Sequence, residues 1–402
     1  MNDVDTLKQR VMGEVDTWRD ELIRIADTIH ANPEIAFEEF ESAALLSGTL
    51  ENHGFAVERG VAGLETAFVA TLHGKDGGPT LAFLAEYDAL PGLGHACGHN
   101  LIGTAAAGAG LAMKAVLSEL AGTIQVVGTP AEERGGGKAY MVDAGVFAGV
   151  DAAMMVHPSK KNTAGSPSLS NYQVSLEFFG KAAHAAVAPD EGINALDAMI
   201  LTFCGINALR QHLRDDARIH GVITHGGEVP NIVPDYTAAR FYVRAADTPY
   251  ATEILKKVQA CAEGAAQSTG TRLEFKEYAP RYDARLPNPK LAELVTDNMT
   301  RLGLEVTRRS PASSGGMGST DMGNVSQVVP ALHPSIAIGP QDMGAAHTLD
   351  FRDAAASPAG HEGMIKAAKV MAMTAVDLLA EPANMSEAKR TFAEQKKQQE
   401  ER

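Results

Sequence analysis

The chemically richest stretch of this chain is Glu-Tyr-Asp-Ala-Leu-Pro-Gly-Leu-Gly-His-Ala-Cys-Gly-His-Asn, residues 86–100. Cys97 and His99 flank Gly98, and a glycine there lets the backbone fold tightly enough for a thiolate and an imidazole to approach one point. That donor pair suits zinc or a similar borderline transition metal; a structural cysteine beside a solvated histidine is the plainer alternative. A second stretch, Gly-Thr-Pro-Ala-Glu-Glu-Arg-Gly-Gly-Gly at 128–137, follows an expected strand. Its adjacent acids, Glu132 and Glu133, point in different directions, so one can bind a metal while the other holds a water. Metal-assisted hydrolysis needs both roles, although an isolated acidic pair is ordinarily just an exposed turn. His157 closes the apolar run 152–156, and His347 sits in Gly-Ala-Ala-His-Thr-Leu-Asp-Phe at 344–351. Each of these histidines alone is weak evidence.

Other chemistries find little support. The glycine-rich segment 315–323 lacks the Gly-Lys-Ser/Thr ending of a phosphate loop. The chain has no Gly-x-Ser-x-Gly elbow for a serine hydrolase, and no His-x-Glu…Pro-Cys-x-x-Cys pattern of zinc nucleobase deaminases.

The elements that must position these residues alternate. An amphipathic helix is expected over 4–30, strands over 80–87, 123–127 and 152–156, and helices over 101–120 and 138–147. Such alternation predicts an α/β catalytic domain, a mixed and largely parallel sheet with helices on both faces. The middle of the chain reads strand 172–180, helix 192–213, strands 218–227 and 236–245, helix 248–268 and strand 271–278. That βαββαβ order is ferredoxin-like. It begins and ends inside the chain, which predicts an inserted domain at 172–285 within a discontinuous catalytic domain, 1–171 and 286–402. The three prolines in 278–289 mark the return linker. A strand at 335–338 and a helix at 359–379 resume the first domain, and the polar tail from Glu381 is expected to be a solvated helix or a frayed end.

Composition narrows the function classes. The net charge of −15 and the absence of any Lys/Arg block argue against nucleic acid and against anionic membrane surfaces. The acidic start Met-Asn-Asp-Val-Asp lacks the basic and apolar regions of a secretory signal. The apolar run 101–117 is short for a membrane span and is expected to be a buried helix. Three widely spaced cysteines, Cys97, Cys204 and Cys261, form no disulfide framework and fit a reducing cytoplasm.

Taken together, the segments resemble the metallopeptidase family that includes aminoacylases, dipeptidases and glutamate carboxypeptidases. Within it they are similar to the branch of amidohydrolases acting on hippurate, indoleacetyl-amino acids and p-aminobenzoyl-glutamate. The resemblance rests on Asp-Ala-Leu-Pro…His-Ala-Cys-Gly-His at 88–99, the Glu132-Glu133 pair, His157 and Ala-His-Thr-x-Asp-Phe at 346–351. It implies that Cys97, His99, Glu133, His157 and His347 hold two divalent ions, with zinc or manganese first and cobalt or nickel as alternatives. Cys97 stands where other branches carry a bridging aspartate. Glu132 is implied as the general base acting on a metal-bridged water, and Asp88 as a carboxylate that orients a ligand.

The inserted domain resembles the family's lid and dimerisation domain. There His184 is implied to polarise the scissile carbonyl, in a neighbouring subunit's site, and Asn231 to donate to substrate. Arg244, with Arg240 and Arg281, is a candidate for gripping a substrate carboxylate; Thr320 and Asp321 are implied to lie beside substrate. Cys-Gly-His-Asn at 97–100, Ala-Glu-Tyr-Asp at 85–88 and Ser-Thr-Asp-Met-Gly-Asn at 319–324 are similar to the p-aminobenzoyl-glutamate and β-alanyl-lysine side of the branch. The expected reaction is therefore hydrolysis of an N-acyl-amino acid or small dipeptide by a homodimer. The competing readings are hydrolysis of another C–N bond, such as an aromatic amine deamination, and a catalytically silent binding subunit.

Overall fold

In the computed structural model, which describes residues 3–307 and 318–401, the chain divides into two compact units. One comprises the described residues up to Pro167 together with 285–307 and 320–401, and the other Ser168–Ala284 with 318–319.

The first unit opens with α1 (Val4–Thr17), α2 (Arg19–Ala31) and α3 (Phe40–Asn52), followed by β1 (Ala56–Arg59), β2 (Phe68–His73) and β3 (Lys75–Ala85). Then come α4 (His99–Leu117), β4 (Ala121–Gly128), α5 (Gly137–Asp143), β5 (Ala152–Met154) and β6 (His157–Ser159). The single long helix expected over 4–30 is two helices: Trp18 sits between them at φ −84° and ψ −2°. The bend lets Val11 and Val15 on one side and Leu22 and Ile25 on the other all reach the same core.

The second unit contains β7 (Ser170–Phe179), α6 (Ala195–Arg210), β8 (Arg218–His225), β9 (Tyr236–Ala245), α7 (Thr248–Thr269) and β10 (Arg272–Glu277). Its strands are antiparallel in the order β10-β7-β9-β8. Period-two burial aims Tyr172, Val174, Leu176 and Phe178 at α6 and α7, where they meet Met199, Ile206, Ile254 and Val258 in one core. Both helices thus cover one face of the sheet.

The chain returns to the first unit with α8 (Pro289–Arg301), α9 (Met322–Val328), β11 (Ala331–Leu332), β12 (Ser335–Ala337), α10 (Leu349–Ala354), α11 (Pro358–Ala380) and α12 (Pro382–Glu400). Its six-stranded sheet runs β1-β2-β4-β3-β5-β11. β4, β3, β5 and β11 are parallel to one another, while β1 and β2 add an antiparallel edge. The tail is no solvated appendage: Asn384, Met385, Ala388 and Thr391 of α12 are buried, and Asn288 Nδ2 donates to the Ala388 carbonyl at 2.9 Å.

α4 is the hub. It is long and apolar enough to cross a membrane by composition, but 89% of its apolar window is buried within the protein. Small residues let it lie close to its neighbours; a Cβ on Gly103 would stand 2.7 Å from the Glu86 carbonyl. That proximity sets the start of α4 directly under the end of β3.

Candidate metal centre

Parallel strands end together, and ligand-binding loops collect at their carboxyl ends. Here β3 runs out into Glu86 and Asp88, β4 into Glu132 and Glu133, and β5 into His157. The loop 89–98 leads to α4, whose first residue is His99. Gly98 is left-handed at φ 77°, and a Cβ on it would press to 2.9 Å from Pro158. Only glycine therefore turns the chain between Cys97 and His99 this close to His157.

Within this space Cys97 Sγ lies 3.5 Å from His157 Nε2, and the rings of His99 and His157 stand edge to face with centroids 5.9 Å apart. Donor atoms of Cys97, His99 and His157 all fall within 4.8 Å of one another, as do those of Cys97, Glu133 and His347, and those of His99, Glu132 and Glu133. Two ligand triplets share the Cys97 sulfur, which places it between two candidate positions. The five residues that the sequence singles out as ligands are thus brought together, with Glu132 beside them.

The surrounding groups fix which atoms face inward. Asp88 Oδ1 accepts from His99 Nδ1 at 2.9 Å, and its Oδ2 accepts the Glu133 N–H at 2.9 Å. Burial alone would raise the Asp88 carboxyl, but the charge and hydrogen bond of His99 hold it below the usual carboxylate range. The Pro158 carbonyl, 2.7 Å from His157 Nδ1, fixes that nitrogen as the donor and leaves Nε2 with its lone pair inward. His347 is held at φ 69° by its N–H donating to the Ala96 carbonyl at 2.8 Å. A left-handed histidine is a strained choice; here it points Nε2 to 3.1 Å from Glu133 Oε1.

These donors fit divalent cations. His99 Nε2 is buried without a hydrogen-bond partner, and Glu133 Oε1, although close to His347, also lacks hydrogen-bonding geometry. Leaving such atoms bare costs free energy, and a thiolate, imidazoles and a carboxylate are the ligand chemistry of zinc and related ions. An Asp88→Asn substitution removes the charge behind His99. It is expected to weaken metal affinity by about 10–100-fold, read by competition against a chromophoric chelator, with the thermal transition of the metal-free protein changing far less.

Glu132 is half-buried. Burial, and then the carboxylates of Glu86, Glu133 and Asp321, push its carboxyl well above the ordinary value, in the direction a proton shuttle near neutral pH requires. The turn carrying it is pinned from outside: Ala131 adopts φ 60° and donates its N–H to Glu39 Oε1 at 2.9 Å.

Glu86 and Lys138 were not evident as site residues from sequence. Lys138 is fully buried, with Nζ 2.6 Å from Glu86 Oε1 and 2.8 Å from Asp321 Oδ1, while its N–H donates to Asp321 Oδ2. Two signals pointed that way: a lone lysine after three glycines at the head of an expected helix, and a glutamate in an otherwise apolar strand end. Asp321 lies beside Glu132 at the floor of the site. It is wholly buried and bonded to Lys138, with a carboxylate oxygen within 4.8 Å of donor atoms of Glu86 and Glu132, and the hydroxyl of buried Thr320 accepts the Met322 N–H at 3.2 Å. Glycines 315 and 316 of that segment lie outside the described residues. Removing one member of a buried ion pair strands the others, so Lys138→Met is expected to destabilise the fold by about 3–5 kcal/mol, measured as a fall in denaturation midpoint.

The remaining candidates belong to the second unit. His184 is exposed, and its Nδ1 accepts the Ala186 N–H at 3.3 Å, which leaves Nε2 to carry the proton. It forms a β-bridge with Ile232, next to Asn231, whose carbonyl accepts the Ala185 N–H. Arg244 lies on the helix-free face of the sheet, 5.3 Å from the Tyr242 ring centroid, with its Nε buried and lacking a hydrogen-bond partner. Arg281, by contrast, is engaged with Asp283 at 2.6 Å.

Comparison with known proteins accords with this geometry. The model of peptidase family M20/M25/M40 matches residues 82–373. A mouse Xaa-Arg dipeptidase is 38% identical, covering 97% of this chain and 93% of that protein. A p-aminobenzoyl-glutamate hydrolase subunit of Escherichia coli is 33% identical, with 90% of each covered. Among solved structures, an aminobenzoyl-glutamate utilization protein from Klebsiella pneumoniae superposes with a TM-score of 0.70 at 22% identity, covering 93% of this chain and 98% of that one. A dinuclear metal-binding peptidase from Bacillus subtilis gives 0.68, also at 22% identity, covering 91% and 99%. At that identity the likeness is one of fold. A family model spanning most of the chain, and relatives of this identity along nearly its whole length, lead to one conclusion: the chain belongs to peptidase family M20/M25/M40 and is a metal-dependent hydrolase.

Proposed function

We propose that this enzyme cleaves the amide bond of an N-acyl-amino acid or small dipeptide at a site holding two divalent ions, zinc or manganese. The observation that carries the reading is the pair of donor triplets meeting at Cys97, with Glu132 alongside. Cys97, His99, Glu133, His157 and His347 would hold the ions. Bound there, divalent ions supply Lewis-acid polarisation of a carbonyl and acidify a water. Glu132 takes the proton from the attacking water on its carboxylate and returns it to the departing amine nitrogen, so one group serves as base and then acid. Asp88 keeps His99 and Glu133 aimed during both transfers.

His184, with its Nε2 proton, donates to the developing oxyanion. Arg244 takes the substrate carboxylate, and Asn231 supplies an amide donor. Burial without an acidic partner leaves that arginine wanting one, and no ion pair to it occurs among the described residues. The second unit also serves as the surface for a homodimer. Supporting this, Ile200 and Leu201 on α6 and Val222 and Ile223 on the edge strand β8 are exposed apolar residues of the kind that seeks a partner. We place the enzyme in the cytoplasm on its separated thiols.

The substrate class follows from a panel of N-acyl-amino acids, arginine and lysine dipeptides and p-aminobenzoyl-glutamate, tested on metal-loaded enzyme by release of free amine. Turnover of at least one member is expected; failure on all of them, with metal bound, would overturn the reading.

A further inference from the structure

The turn that carries Glu132 and Glu133 adopts a conformation its own residues do not favour. Four non-glycine residues among those described have positive φ, and three of them bear on the metal centre. His347 is a candidate ligand, and Ala131, at φ 60°, immediately precedes Glu132. Phe37, at φ 62°, lays its ring on Gly135, where a Cβ would stand 2.4 Å from it. An alanine at positive φ is strained and persists only where its surroundings impose it.

Ala131 is the swivel of this turn. Before it, the Thr129 N–H donates to the Ala85 carbonyl at 2.8 Å, which ties the end of β4 to β3. After it, the Gly136 N–H closes the turn onto the Ala131 carbonyl at 2.8 Å. Rotation about the Ala131 N–Cα bond therefore moves both acids together, relative to a fixed sheet.

The segment 33–39, between α2 and α3, imposes the conformation. Glu39 is wholly buried; its Oε1 accepts the Ala131 N–H and its Oε2 the Thr66 hydroxyl, each at 2.9 Å. Earlier in the segment, the Glu34 carbonyl accepts the Ala89 N–H at 2.7 Å, beside Asp88. The segment is itself fixed, because the Glu34 carboxylate accepts the N–H groups of Glu41 and Ser42 at 2.8 Å each. One short stretch thus ties down the loops that follow both β3 and β4. Burial, and then the charge of Asp88, raise the Glu39 carboxyl to about 7, so a neutral amide replaces it closely.

We propose that Glu39 is a positioning residue of the enzyme: by accepting the Ala131 N–H it locks the swivel in its left-handed setting and holds Glu132 and Glu133 at the metal centre. For the role of Glu132 this rests on the amide-hydrolase reading above.

The test is a double-mutant cycle. Glu39→Ala removes the acceptor, and Ala131→Gly makes positive φ free of strain. Metal-loaded parent, Glu39→Ala, Glu39→Gln, Ala131→Gly and the double variant are compared for kcat and KM on the best substrate of the panel. Metal affinity is read separately by chelator competition, and folding by thermal midpoint. Glu39→Ala is expected to lower kcat roughly tenfold or more with little change in KM, because the base is misplaced. It should also weaken metal binding about 10–100-fold, since Glu133 moves with the turn. Glu39→Gln, which keeps an acceptor, should restore most of both. In the glycine background the loss of Glu39 should cost much less, because glycine adopts positive φ without a clamp. Glu39→Leu, which keeps the volume, replaces Glu39→Ala in the cycle if that variant does not fold. Parental kcat and metal affinity in Glu39→Ala, equal damage in Glu39→Gln, or no recovery in the double variant would overturn the proposal while leaving the hydrolase reading intact. If no form hydrolyses the panel yet metal affinity follows the predicted order, the positioning role stands and the reaction assigned above falls.

Discussion

Glu132→Gln enzyme is expected to bind its metal ions normally and lose roughly 10²–10⁴-fold in kcat, the usual contribution of a positioned acid–base group. The substitution is nearly isosteric, and the five candidate ligands stay in place because Asp88, Pro158 and Ala96, not Glu132, hold the four of them that have such partners. An amide cannot accept the water proton, so KM should change little while kcat collapses. Replacing one of several clustered carboxylates also relieves repulsion with Glu86, Glu133 and Asp321, so the variant should be no less stable than the parent. Near-normal turnover would remove Glu132 from the mechanism. Loss of metal together with activity would make it a ligand instead.

His184→Ala is the second large effect. A single oxyanion donor is commonly worth about 10²–10³-fold in kcat. The residue is exposed and its side chain supports little beyond the Ala186 N–H, so folding and metal content should be unchanged. If the donor acts across a dimer, co-expression of His184→Ala with Cys97→Ala subunits should regain activity that neither homodimer has, because one active site then combines an intact metal cluster with an intact histidine. No regain in a confirmed mixed dimer would confine His184 to its own subunit.

Much of this was legible from residue types and order. Strand–helix alternation in the first unit and the βαββαβ order in the second are carried by hydrophobic period, which burial enforces; from Tyr172 on, β7 turns Tyr172, Val174, Leu176 and Phe178 inward in alternation. Cys97, His99, Glu132 and Glu133 were legible because polar, metal-seeking residues stand at glycine-bounded strand ends. His157 and His347 gained weight only as members of the set. Glu86 and Lys138 were hidden for a physical reason: their roles depend on each other and on Asp321, 183 residues beyond Lys138, and a buried ion pair leaves no local periodicity. The same long-range pairing buries Asp321 against Lys138, a partnership that its sequence context does not announce. The break at Trp18 was missed because both halves keep one helical period, and only tertiary packing selects the bend. The docked start of α12 escaped notice because its anchors are Asn288 and Thr391, polar groups that composition assigns to solvent.

The most direct test is titration of chelator-stripped enzyme with cobalt(II), following both the sulfur-to-cobalt charge-transfer band and release of amine from the best substrate of the panel. The account predicts a thiolate band that is lost in Cys97→Ser, binding that saturates at two ions per chain, and activity that rises with occupancy. Full activity in the stripped enzyme, or a cobalt complex whose spectrum is indifferent to Cys97, would contradict it.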